Sequence, residues 1–146
     1  MGIKTSAVAA LVADANASLS MDGSSSQEGR TSIAPSGPAV QVLVPIPLGI
    51  NKLYALRIEV FMTLNDGSTG VAKTEATFVR DNTDALLFGP PLEENSVAIS
   101  PLALTAVSQG VTFELEAPMG PSEERQYAWR WVLSPGYPAM FPISAG

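Results

Sequence analysis

Residues 53–80 constrain this chain more than any other stretch. In the first part Leu56, Ile58, Val60, Met62 and Leu64 fall on one side, and Arg57, Glu59 and Thr63 on the other. A repeat of two is what a half-buried β-strand requires. Residues 71–80 make a second arm, ending Phe78-Val-Arg80, and Asn65-Asp-Gly-Ser-Thr-Gly70 lies between the two. Asp66-Gly67 is a strong hairpin signal, because glycine accepts positive φ at a turn. The spacing predicts a long β-hairpin. It fixes a fold class and carries no chemistry.

The flanks extend the pattern. Residues 39–48 are Val-rich and hold Pro45 and Pro47. Proline donates no ladder hydrogen bond, so this strand belongs on an edge. Short strands are expected at 85–88, 96–99 and 102–107. Residues 111–116 alternate, with Val111, Phe113 and Leu115 inward. Residues 127–133 put Tyr127, Trp129, Trp131 and Leu133 on one face. Seven or eight short strands separated by Gly/Pro turns predict an all-β chain, an antiparallel β-sandwich of jelly-roll or Ig-like type. The ends differ from the middle. Residues 6–19 are Ala-rich, with Val8, Leu11, Val12 and Ala15 at helix-compatible spacing, and an extended arm is the competing reading. Residues 20–37 are rich in Ser and Gly, which reads as a linker. The division is therefore an N-terminal arm and linker at 1–38, a sandwich at 39–134 and a Pro-rich tail at 135–146.

Composition removes whole classes of function. The 146 residues include no Cys and no His. Disulfide scaffolds, zinc fingers, Cys–His and Ser–His–Asp nucleophile systems and neutral-pH histidine shuttles are all excluded. The net charge is −6 and there is no basic cluster, so no nucleic-acid partner is expected. Only 15% of residues are charged, against roughly 25% in an average protein. A neutral surface suits a chain packed against others, and equally a Ser/Thr-rich soluble β-domain. No apolar run reaches the roughly 20 residues of a membrane helix. Lys4, the apolar run 7–13 and Ala15-Asn-Ala17 have the outline of a signal peptide, but the run is short and Asp14 sits beside the cut. The expectation is a protein neither secreted nor in a membrane.

Candidate chemistry is sparse. Glu114 and Glu116, two residues apart on one strand, could serve as an acid–base pair, with Trp129 and Trp131 as sugar platforms. A solvated strand face and a buried aromatic pair are the simpler readings. Asp81-Asn-Thr-Asp84 has oxygen ligands but not the spacing of a calcium loop, and works as a plain turn. There is no GxxxxGK[ST], GxGxxG or GxSxG. No catalytic residue, cofactor or metal is expected, and the chain is read as a non-enzyme. Apolar residues on the arms remain. Leu11, Val12, Ile33, Val40, Tyr137, Met140, Phe141 and Ile143 would expose apolar surface worth roughly 25 cal/mol per Å² unless something covers them. Either they fold over their own sheet or they contact neighbours, and contact with neighbours is the reading adopted.

The Leu56-Arg-Ile-Glu-Val-Phe-Met-Thr63 arm, its Asp-Gly turn, Phe78-Val-Arg-Asp81, Val111-Thr-Phe-Glu-Leu115 and Tyr127-Ala-Trp-Arg-Trp-Val-Leu133 occur in that order. Over residues 39–134 this resembles the β-sandwich modules of tailed-bacteriophage virion proteins. The resemblance implies a virion structural role without catalytic residues, the sheets forming a rigid body and the arms clasping neighbours. It implies a homo-oligomer, a trimer above all. The expected function is a capsid decoration or cement protein on the outer head surface, bound to the major capsid protein. A tail or fibre adaptor is the alternative within the family. A carbohydrate-binding or glycan-cleaving sandwich is the alternative from another class.

Overall fold

The computed structural model describes residues 15–19, 24–48, 52–80, 86–89, 91–96 and 99–138. Among them every regular element is a strand, and every pairing is antiparallel. In chain order these are β1 (Ala15–Leu19), β2 (Ser25–Ile33), β3 (Val40–Pro45), β4 (Lys52–Leu64), β5 (Thr69–Arg80), β6 (Leu86–Phe88), β7 (Leu92–Asn95), β8 (Leu104–Val107), β9 (Gly110–Leu115), β10 (Arg125–Leu133) and β11 (Tyr137–Pro138). The large sheet runs β1-β2-β10-β4-β5-β6, with β7 on β5 and β11 on β4. The small sheet runs β3-β9-β8.

The predicted hairpin is β4–β5, the longest pairing among the described residues, from Leu53 opposite Val79 to Thr63 opposite Thr69. Tyr54, Leu56, Ile58, Val60 and Met62 are buried from β4, and Ala72, Thr74, Ala76 and Phe78 from β5. The turn is one residue longer than a two-residue hairpin loop. Gly67 N–H donates to Leu64 O at 3.0 Å, and Leu64 N–H donates to Ser68 O at 2.8 Å. Gly67 sits at φ 92°, the left-handed position that a three-residue loop places before its closing pair.

The small sheet covers the inner face of the large one. Val40, Val42 and Val44 of β3 and Val111, Phe113 and Leu115 of β9 share one core with the inward residues of β4, β5 and β10. Phe113 meets Trp129 across the two layers edge to face, centroids 6.0 Å apart and planes at 81°. Such a pair contributes about 0.5–1.5 kcal/mol beyond its buried area. β3 has β9 on one side only, and Pro45 ends it, as its prolines required.

Several expectations are corrected. Residues 25–33 are not linker: β2 lies between β1 and β10 in the large sheet, paired with β10 from Arg125–Ile33 to Leu133–Ser25. The part of the helical stretch that is described, Ala15–Leu19, is a strand on β2. Residues 1–14 lie outside the described residues. A boundary at 38 therefore cuts two strands from their own sheet. The strand expected at 96–99 is absent at Ser96 and Ile99, and Leu92–Asn95 pairs with β5 instead. The tail begins with a short pairing, Tyr137 opposite Leu53 and Pro138 opposite Lys52.

The outer face of the large sheet is ordered by charge. Glu28, Arg130, Glu59, Lys73 and Glu94 stand in one cross-strand row over β2, β10, β4, β5 and β7, alternating in sign. Arg130 Nε donates to Glu59 Oε1 at 2.9 Å, and its Nη2 bonds the same oxygen. Exposed pairs of this kind are screened by solvent and contribute little one by one. The row holds the register and keeps this part of the face wet.

Candidate interaction surface

The residues expected at an interface separate into three groups. Ile33 and Val40 are core, 3% and 4% exposed, because their side chains face into the space between the two sheets. They do not reach a neighbour. Leu11, Val12, Met140, Phe141 and Ile143 lie outside the described residues. Tyr137 is described, and is 54% exposed on the outer face of the large sheet.

Tyr137 points outward because of a bulge. Leu133 of β10 faces Leu56 of β4, and Tyr137 faces Leu53. That is four residues forward on one side for three back on the other. Ser134 closes the last regular step, its N–H donating to Ala55 O at 2.9 Å and its Oγ accepting from Ala55 N–H at 2.9 Å. Without the extra residue Tyr137 would keep the odd-numbered, inward phase of Trp129, Trp131 and Leu133. A bulge re-aims a side chain in this way.

Two hollows flank residues 134–135. One is an end groove of about 750 Å³ between the sheets, walled by Pro45, Ile46, Pro47 and Leu48 on one side and by Tyr54, Trp131 and Leu133 on the other, with Gln27 and Lys52 on its rim. The other, about 450 Å³, lies on the outer face between Leu92, Val132 and Tyr137, over Arg57, Glu75 and Thr77. Leu48, Leu53, Leu92, Val132 and Tyr137 are five of the eight exposed large apolar side chains among the described residues. All five border these hollows or pair with a residue that does. Exposed apolar side chains gathered around hollows at one end of a molecule make a candidate site of association.

The glycan reading loses its platform. Trp129 and Trp131 are 2% and 3% exposed. Trp131 Nε1 donates to Gln27 Oε1 at 3.1 Å, and Trp129 is packed between the sheets. Glu116 is engaged as well: its Oε1 lies 3.5 Å from Arg125 Nη1. Arg125 is buried and also donates from Nε to Glu123 Oε1 at 3.0 Å and from Nη1 to the Tyr127 hydroxyl at 3.1 Å. The Tyr127 hydroxyl donates to Glu116 O at 2.9 Å. This cluster ties β9 to β10, and burial pushes the Tyr127 phenol up from its usual value. Asp81-Asn-Thr-Asp84 lies outside the described residues, and no cluster of three or more metal-ligating side chains occurs among those described. No helix among them is long and apolar enough to cross a membrane.

Two carboxylates at the opposite end set an acid sensitivity. The Ser68 N–H, bonded to Asp66 Oδ1 at 2.8 Å, holds the Asp66 carboxyl below its usual range. Glu123 is lowered first by the Met119 N–H at 2.7 Å and then by Arg125. A lowered folded value means that the stabilisation is complete above the unfolded carboxylate range, about pH 4–4.5, and is lost as pH falls through the folded values. Thermal midpoints measured from neutral to acid pH are expected to be flat down to that range and to fall below it. Asp66→Asn with Glu123→Gln should make the acid limb shallower, and an unchanged limb would rule these groups out as its origin.

The chain matches no family model, no curated protein and no solved structure.

Proposed function

We propose that the chain is a structural protein of a tailed-phage virion, a capsid decoration or cement protein that sits on the outer head surface and binds the major capsid protein and copies of itself. The virion part of this reading comes from the sequence resemblance. The observation that carries association is the apolar end of the molecule, where Leu48, Leu53, Leu92, Val132 and Tyr137 are exposed around two hollows. Supporting it, the two layers share one core, and the charge row joins the strands of the large sheet on its outer face. Many weak contacts of this type hold well on a lattice, because each bound copy raises the effective concentration of the next contact. In this reading the fold is a jelly-roll or Ig-like module, and the clasping arms are residues 1–14 and 139–146 rather than the whole of 1–38. Removing 1–37 would delete β1 and β2, so an arm test must stop at residue 14.

Antibody raised against the chain, applied to purified virions and empty heads from one lysate, tests the proposal. Label over the head surface is expected. Label confined to the tail replaces it with the adaptor reading, and particles without label overturn the virion role.

A further inference from the structure

The outer hollow has a shape that the registers define. Outward-facing Val132, Arg57, Glu75 and Leu92 form one row across β10, β4, β5 and β7. The next row is small: Ser134, Ala55 and Thr77, ending at Gly89, whose N–H donates to Thr77 O at 2.8 Å. A Cβ on Gly89 would come 2.3 Å from Thr77 Oγ1, so the end of this row has no room for a side chain. The third row is Tyr137, Leu53 and Val79. Outward residues two apart on a strand stand about 6.6 Å from each other. The small row is therefore a trough one side chain wide, and the Tyr137 row is a ridge of matching width beside it.

We propose that this ridge and trough are where a second copy of the chain docks, the Tyr137 ridge of each copy seated in the trough of the other across a two-fold axis. A two-fold contact needs one patch that carries both shapes, and this patch does. The charge balance permits the same partner. At net charge −6 two copies repel, except through a face without excess negative charge. Here Arg57 and Glu75 are paired at 3.5 Å and the trough is uncharged. Four of the eight exposed large apolar side chains of the described residues lie on the two rows or the ridge. The bulge that turns Tyr137 outward builds the ridge. The inference refines the self-association part of the proposed function and replaces the trimer implied by resemblance with a dimer.

Sedimentation equilibrium on the full chain over a wide concentration range tests it. A concentration-dependent dimer is expected. Tyr137→Asp on the ridge and Ala55→Trp in the trough should each weaken it at least about tenfold, the scale of an anchor residue lost from an interface. Val107→Asp, exposed on the small sheet, should leave it unchanged. Circular dichroism of each variant confirms the fold, and Tyr137→Asp alone suffices if Ala55→Trp misfolds, since Tyr137 is exposed. A monomer at every concentration, a trimer, or a dimer indifferent to Tyr137→Asp overturns the proposal. Particle labelling is independent of it: a dimer that labels no particle sinks the virion role alone, and a monomer that labels heads sinks the dimer alone.

Discussion

Replacing Gly29 with alanine will destabilise the fold by about 2–3 kcal/mol, and the same replacement will cost at least about 1 kcal/mol less in a chain where Trp129 is already phenylalanine. Gly29 faces Trp129 directly in the β2–β10 register. A Cβ at position 29 would lie 2.2, 2.6 and 2.7 Å from three atoms of the indole. The ring has nowhere to retreat, because its other side meets Phe113 of the small sheet. Alanine would normally gain about 0.4–1 kcal/mol over glycine by restricting the unfolded chain, and that gain is too small to offset the overlap. Trp129→Phe alone has two opposed effects. It deletes the benzo ring from a packed core, and it removes Nε1, a buried donor without a hydrogen-bond partner among the described residues. An orphaned donor costs about 1–3 kcal/mol, so the net loss should be modest, about 1–2 kcal/mol. In the double variant the new methyl occupies space that the benzo ring has left. Urea unfolding of the four proteins should give a coupling of at least about 1 kcal/mol in the direction of rescue. Strict additivity would mean that the ring and the glycine do not constrain each other.

The same pair explains what could and could not be read from the sequence. The β4–β5 hairpin and β10 were legible because each carries its own apolar column: Leu56, Ile58, Val60 and Met62 in one, Tyr127, Trp129, Trp131 and Leu133 in the other. β2 has no such column. Its inward positions are Gln27, Gly29, Thr31 and Ile33, and the apolar bulk over the first two is supplied by the tryptophans of the next strand. Local hydrophobicity then reads as linker, although the segment is central to the sheet. β7 was missed for a related reason. Leu92-Glu-Glu-Asn95 is an edge strand whose outward residues fit only long-range partners, Glu94 beside Lys73 and Leu92 beside Glu75. The end of the chain depended on a comparison of lengths: β4 has 13 residues and β10 has 9, which leaves the start of β4 to be covered by the segment after β10. Tyr137 stands out in the sequence for its apolar character. Its outward aim, and its company of Leu53, Leu92 and Val132, come from a bulge and three registers that no local pattern records.

Arg80→Met will lower the unfolding free energy by at least about 3 kcal/mol, since a hydrogen bond to a charged group is worth about 1.5–3 kcal/mol and those to Pro47 and Ile46 are both lost. Arg80 ends β5 in the inward phase of Ala76 and Phe78, 2% exposed between the layers. Its Nε donates to Pro47 O at 3.0 Å and its Nη2 to Ile46 O at 2.9 Å. These carbonyls come after β3, just past its terminal Pro45, where the small sheet has no ladder left to satisfy them. Ile46 N–H still reaches Gln109 O at 3.0 Å, but Pro47 has no N–H to give. The guanidinium thus replaces the missing strand partner and pins the wall of the end groove to the large sheet. Methionine keeps the buried length of the side chain and leaves both carbonyls without these donors, which isolates the polar term from a cavity. Lysine keeps the charge but not the fork, so Arg80→Lys should recover one contact and about half of the loss. Amide exchange gives the local readout. The Ile46 N–H should lose protection in Arg80→Met before β9 and β10 do, because the wall is released ahead of the core. A loss below about 1 kcal/mol would contradict this account. So would a lysine variant as stable as the native chain, since either result would mean that the two carbonyls find other donors and that the groove wall stands without Arg80.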